Sequence, residues 1–177
     1  FYNGHTIYPG KVFPQRPDLK GKDFLQVFID EAHKRRIEVH CWLHTLYWRP
    51  DISTKGPQTP ILDIHPDWLD KNHDGKGTRD FEKGYDFVSP SVPGVRDLLV
   101  QLINELCTRY SIDGIHLDYM RYAANGDKMG FGYNTYEVNK FKKKYDIDPI
   151  ILDPINTPIA WELWSKFRED QISEIVK

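Results

Sequence analysis

The segment Asp113-Gly114-Ile115-His116-Leu117-Asp118-Tyr119-Met120-Arg121-Tyr122 has residue types and a spacing that can do chemistry. Side chains alternate faces along a strand, so Ile115 and Leu117 share one face and His116 and Asp118 the other. An imidazole and a carboxylate projecting the same way at a strand's carboxyl end are what an α/β barrel presents to a ligand. A carboxylate there can act as a nucleophile or stabilise developing positive charge. Both roles need the ionised form, which a cation at Arg121 or His116 would favour. Asp118 is therefore the candidate catalytic group, and the competing reading is an aspartate that merely caps the next loop. Tyr119, Arg121 and Tyr122 follow into the loop where ligand contacts gather. An ordinary salt bridge and packed rings are the alternatives there.

A second set lies in Ile37 to Trp48, which reads as one strand with Ile37, Val39, Cys41 and Leu43 on one face. His40, Trp42 and His44 then share the other face. They suit a wall of polar donors around a stacking indole, and Tyr47 and Trp48 at the strand's end are candidate platforms. Two other readings stay open. These side chains could fill a barrel lumen, or His40, His44, His116 and Asp118 could hold zinc for metal-assisted hydrolysis. Asp70-Lys71-Asn72-His73-Asp74-Gly75 matches the first half of a calcium loop. The glutamate required at the twelfth position falls on Phe81, however, with Glu82 one residue late. The competing reading is a polar hairpin turned at Asp74-Gly75.

The elements that must position these groups follow from periodicity. Asp23 to Arg36 reads as a helix with Phe24, Phe28 and Ala32 in one stripe, widened by Leu25 and Ile29. Pro93 to Tyr110 is the clearest helix: Val95, Leu98, Leu99, Leu102, Ile103, Leu106 and Tyr110 keep helical spacing, with Ser91 as cap and Pro93 in the first turn. It feeds the strand Gly114 to Met120. Helices are expected at Thr135 to Tyr145 and from Thr157-Pro158 to about Lys177, with Trp161 and Trp164 as core. Phe1 to Leu19, Arg49 to Ser91 and Ala123 to Tyr133 read as loops, with a short extended piece at Tyr85 to Ser89. Helix-to-strand alternation predicts an α/β fold with parallel strands.

The 177 residues suit one domain spanning 1–177, and 40% hydrophobic residues supply a core. Aromatics reach 14%, which fits sugar stacking or ordinary packing. A net charge of −2 without a basic patch argues against nucleic acid, and no apolar run is long enough to span a membrane. Cys41 and Cys107 fall at apolar positions and read as two buried free thiols. No cofactor is expected.

Tyr8-Pro9-Gly10-Lys11-Val12, the run Ile29 to Trp42, Ser89-Pro90-Ser91-Val92-Pro93-Gly94-Val95-Arg96 and Asp113 to Tyr119 together resemble the glycosyl hydrolase-like family 10 proteins. That resemblance implies a section of a (β/α)8 TIM-type barrel with long loops on its catalytic face. Val39 to Leu46 would be the third strand and Ile115 to Met120 the fourth, with the other strands outside the sequence. The resemblance further implies a bacterial cell-envelope or secreted setting, often as a lipoprotein. It also implies a carbohydrate substrate, Asp118 as nucleophile and an acid/base on a fifth strand beyond Lys177. The rival expectation is a non-catalytic carbohydrate-binding barrel. An incomplete barrel also predicts self-association through uncovered strand edges and helix faces.

Overall fold

The computed structural model describes residues 1–49, 60–124 and 129–177. Residues 50–59 and 125–128, parts of two of the expected loops, lie outside the described residues. The elements in order are α1 (Phe24–His33), β1 (His40–His44), β2 (Tyr47–Arg49), α2 (Pro60–Ile64), β3 (Asp86–Phe87), α3 (Pro93–Arg109), β4 (Gly114–Asp118), α4 (Thr135–Tyr145) and α5 (Pro158–Val176). The chain is a mixed α/β fold with parallel strands, compatible with part of a barrel.

β1 and β4 pair in parallel, His40 opposite Gly114, Trp42 opposite His116 and His44 opposite Asp118. α3 lies between them in sequence, so the unit is a β-α-β crossover. Cys41 and Leu43 are buried with Leu25 and Ile29 of α1 and Leu99, Leu102 and Leu106 of α3, and Ile115 and Leu117 pack on the same core. Each fully buried leucine contributes about 2 kcal/mol. The opposite face carries His40, Trp42 and His116, all exposed. The alternation read from the sequence holds from His40 to Leu43, but Ile37 is exposed and lies outside β1, and His44, expected on the open face, is buried.

The segment expected as one strand from Ile37 to Trp48 is two. Thr45 turns its N–H to the Asp118 carbonyl (2.9 Å), and the Trp48 indole donates to the Thr45 carbonyl (2.8 Å). That break frees Tyr47–Arg49 to pair antiparallel with β3. Residues at the end of the apolar run therefore belong to a second small sheet. β4 also stops earlier than expected, at Asp118.

α1 is shorter than expected because Asp23 serves as its cap, accepting from Gln26 N–H, and Arg36 adopts φ 58°. Its buried stripe is Leu25 and Ile29; Phe28 is 62% exposed. α3 carries no side-chain cap. Val92 holds the cap position, while the Ser91 hydroxyl, expected to cap, donates to Gln171 of α5 (3.3 Å). Gly94 in its first turn lies under Trp68, where an added Cβ would stand 2.4 Å from the indole. α4 and α5 have a second core of Tyr133, Phe141, Leu152, Trp164 and Phe167.

The Tyr8-Pro9-Gly10-Lys11 stretch is tied to α3. Glu105 accepts from Tyr8 Oη (3.2 Å), from Lys11 N–H (2.7 Å) and from Arg109 (2.8 Å). Gly10 is required there, because a Cβ would meet the Phe13 carbonyl at 2.7 Å. Asp70 to Gly75 is the hairpin turn rather than a calcium loop. Lys71 bridges Gly77, Gly75 has φ 77°, and Asn72 Oδ1 accepts from Asp74 and Lys76 N–H. Both cysteines are free, but Cys107 is exposed, not buried. No helix among the described residues is long and apolar enough to cross a membrane.

Candidate functional site

Asp118 ends β4, and each of its carboxylate oxygens has one protein donor. The Tyr119 backbone N–H reaches Oδ1 at 2.7 Å, and the Trp42 indole Nε1–H reaches Oδ2 at 3.0 Å. Tyr119, whose N–H makes the first contact, itself adopts φ 54°, a left-handed conformation. A non-glycine residue there carries a conformational cost of about 1 kcal/mol or more. The second contact crosses the parallel ladder diagonally, from the residue opposite His116. The Tyr119 N–H first, then the indole N–H, holds the Asp118 carboxyl below the ordinary aspartate range, with lesser help from His44 and His116. The carboxylate is half-buried and ionised at neutral pH.

His44 stands opposite Asp118 and is only 2% exposed. Its ring is enclosed by Tyr2 (4.6 Å between centroids), Trp42 (4.5 Å), Tyr47 (5.0 Å) and Tyr119 (4.8 Å). Burial pushes its pKa down to about 4, so it is neutral near pH 7. Neither ring nitrogen has a protein hydrogen-bond partner among the described residues. Trp42 is 48% exposed, with its N–H edge on Asp118 and much of the ring open.

Beyond the strand ends, the Arg121 guanidinium lies over Phe87 (5.3 Å) and Tyr119 (5.6 Å) and 3.6 Å from Glu82. It thus braces Tyr119 rather than pairing with Asp118. The structure gathers Trp42, His44, His116, Asp118, Tyr119 and Arg121 at or near the carboxyl ends of the parallel strands. It places His40, Trp48 and Tyr122 elsewhere and keeps Tyr47 beside His44 and Tyr119 but buried. His40 is at the amino end of β1, its ring over Gly114, about 13 Å down the strand from His44. Trp48 is fully buried, in ring contact with Phe1, Phe13 and Trp68, and has no face left for a ligand. Tyr47 is buried against Tyr85, Phe87 and Tyr119. The Tyr122 hydroxyl turns away to donate to Glu137 and to the Arg168 carbonyl.

The set of His40, His44, His116 and Asp118 forms no metal-binding group. Among the described residues no three His, Cys, Asp or Glu side chains converge as a metal site would require. The zinc expectation fails because His40 is at the wrong end of the strand and His44 is sealed by rings. Two residues at the site were missed in the sequence reading. Tyr2, 43% exposed, stands 6.3 Å from Trp42. Its approach depends on a contact some forty residues away that no local pattern records. Glu82, the partner of Arg121, was considered only as a late calcium position.

A carboxylate at the carboxyl end of a parallel strand pair, with a half-open indole beside it, is an arrangement compatible with part of an α/β barrel. The chain belongs to the glycosyl hydrolase-like 10 family, whose sequence model matches residues 2–177. It is 29% identical over 136 residues to the glycosyl hydrolase DigH of Escherichia coli strain K12, covering 66% of this chain and 28% of that protein. It is also 29% identical over 101 residues to the glycosyl hydrolase YngK of Bacillus subtilis strain 168, covering 55% and 18%. An S-layer-related protein of Niallia circulans is 30% identical over 114 residues, covering 60% and 7%. The chain therefore spans less than a third of the length of these relatives.

Proposed function

We propose that this chain forms part of the catalytic face of a glycoside hydrolase acting on a polysaccharide or envelope glycan, with Asp118 as nucleophile or transition-state stabiliser. The observation that carries the reading is Asp118 itself: an ionised carboxylate, held on both oxygens, at the carboxyl end of a parallel strand. As nucleophile it forms a bond to the anomeric carbon while the bond to the leaving oxygen breaks. That oxygen takes a proton from a second carboxyl group. Water then attacks the glycosyl-enzyme, giving its proton back to that group and releasing the sugar and Asp118. A second carboxyl about 5 Å away makes the reaction retaining, and one about 6.5–9.5 Å away makes it inverting.

Glu137 and Glu162 are the acids of this chain that the sequence offers for that role. Glu137 is fully buried, its oxygens taken by Tyr122 and Ser89 hydroxyls, so it has no path to a substrate. Glu162 is exposed on α5, a helix outside the cluster at the strand ends. The acid in this proposal comes from sequence beyond the matched span, as do the remaining strands of the barrel. Trp42, Tyr2 and His116 supply sugar contacts, and the setting is the bacterial cell envelope or its exterior.

The test is release of new reducing ends from a panel of polysaccharides and envelope glycans by the full protein. The proposal predicts release from at least one glycan class. A glycan bound with measurable affinity but never cut would make this a carbohydrate-binding face instead.

A further inference from the structure

We propose that Trp42 is a positioning residue whose indole N–H fixes the Asp118 carboxylate in its reactive orientation, a role distinct from stacking on a sugar. The inference rests on the reading of Asp118 given above and adds the device that controls it. The carboxylate's χ2 torsion is soft, because rotation about an sp³–sp² bond has broad minima. A single donor would therefore leave the group free to swing. Tyr119 N–H anchors Oδ1 from behind, on the chain's own backbone. Trp42 Nε1–H anchors Oδ2 from the neighbouring strand. Two donors on two elements define the carboxylate plane.

The indole is itself fixed. Its ring meets His44 edge to face at 4.5 Å and Tyr2 at 6.3 Å, and the parallel register sets its Cα opposite His116. Tyr119, which supplies the other donor, is braced by Arg121 above and His44 beside it. His44 thus touches both donor residues, as a neutral buried ring that adds packing without competing for the carboxylate. The titratable groups facing Asp118 are His44 from β1 and His116 from β4 itself.

The discriminating variant replaces Trp42 with 3-benzothienylalanine, which keeps the fused ring and its stacking face but has sulfur where the N–H was. Trp42→Phe is the second variant, and both are made in the full protein. The first measurement is the titration of the Asp118 carboxyl by ¹³C NMR of aspartate-labelled protein, assigned by difference with Asp118→Asn. It needs no substrate. The inference predicts that the isostere keeps the wild-type thermal midpoint while the Asp118 titration moves up towards an ordinary aspartate. The acidic limb of kcat/KM then moves up with it, and kcat falls on the order of 10- to 100-fold with little change in KM. An unmoved Asp118 titration in the isostere overturns the inference. A moved titration in a protein that cuts no glycan upholds the clamp and sinks the hydrolase reading. If the isostere behaves as wild type and KM alone rises in Trp42→Phe, Trp42 is a stacking platform and the inference fails.

Discussion

Asp118 and His44 face each other across the parallel ladder, and their surroundings drive them in opposite directions. Donors keep the carboxyl ionised, while rings keep the imidazole neutral. The His44 effect has a stability consequence. An unfolded chain binds a proton at this histidine below about pH 6.5, but the folded chain resists until about 4. Stability from this group is complete above pH 6.5 and is lost as pH falls towards 4, by about 3 kcal/mol in all. His44→Phe should therefore flatten the loss of thermal stability between neutral and mildly acid pH. An unchanged slope in the variant would contradict the burial argument. Asp118 was legible in the sequence because alternation and strand-end position are local properties. The Trp42 contact was not, since a donor on one strand and an acceptor on another meet only once register is set.

At the scale of elements, α4 and α5 are joined to the loop after β4 through buried carboxyls. Burial pushes Glu137 up to about 8 and Asp70 to about 7, each also raised or lowered by its neighbours. An unfolded Glu137 ionises from about pH 4.5, whereas the folded one stays protonated until near 8. The fold is therefore favoured by this group at low pH and loses that benefit as pH rises across the window. Glu137→Gln cannot ionise, so its melting temperature relative to wild type should climb from pH 5 to pH 8. A gap that stays constant with pH would refute this. In the first turn of α3, Gly94→Ala drives a methyl into Trp68 and should cost about 1–3 kcal/mol in chemical denaturation. A neutral result would mean that Trp68 moves freely. Helical spacing revealed α3, α4 and α5 because one apolar face of a helix is written at fixed intervals. The split of β1 from β2 was hidden, because Leu46, Tyr47 and Trp48 continue an apolar run whose burial comes from the second sheet and from Phe1, Phe13 and Trp68.

For the whole molecule, the governing fact is a parallel pair with one face covered and one open. Parallel strands are normally buried on both sides. Here Leu43 and Cys41 lie in the helix-covered core, while Trp42 and His116 are exposed on the other face, and Phe28 and Val27 project from α1. The Phe1 nitrogen donates to the Trp42 carbonyl (2.9 Å) and the Phe1 carbonyl accepts from His44 N–H (3.0 Å), the hydrogen-bond pattern of a parallel neighbour. β1 thus has backbone hydrogen-bond partners on both sides at Trp42 and His44. Expressed as these 177 residues, the chain should self-associate with rising concentration, and Trp42→Ser with Phe28→Ser should reduce that association in sedimentation analysis. A monomer at every concentration would show that the open face is tolerated. The mixed α/β fold with parallel strands was legible from the two-faced strands and the helix-to-strand alternation.

The most direct test of the Asp118 assignment is the turnover and glycan affinity of Asp118→Asn in the full protein, measured side by side. The amide keeps shape and volume but cannot attack an anomeric carbon or balance positive charge. The account predicts a fall in kcat of about 10³-fold or more with glycan affinity within a few fold of wild type. Turnover that survives the substitution would contradict it.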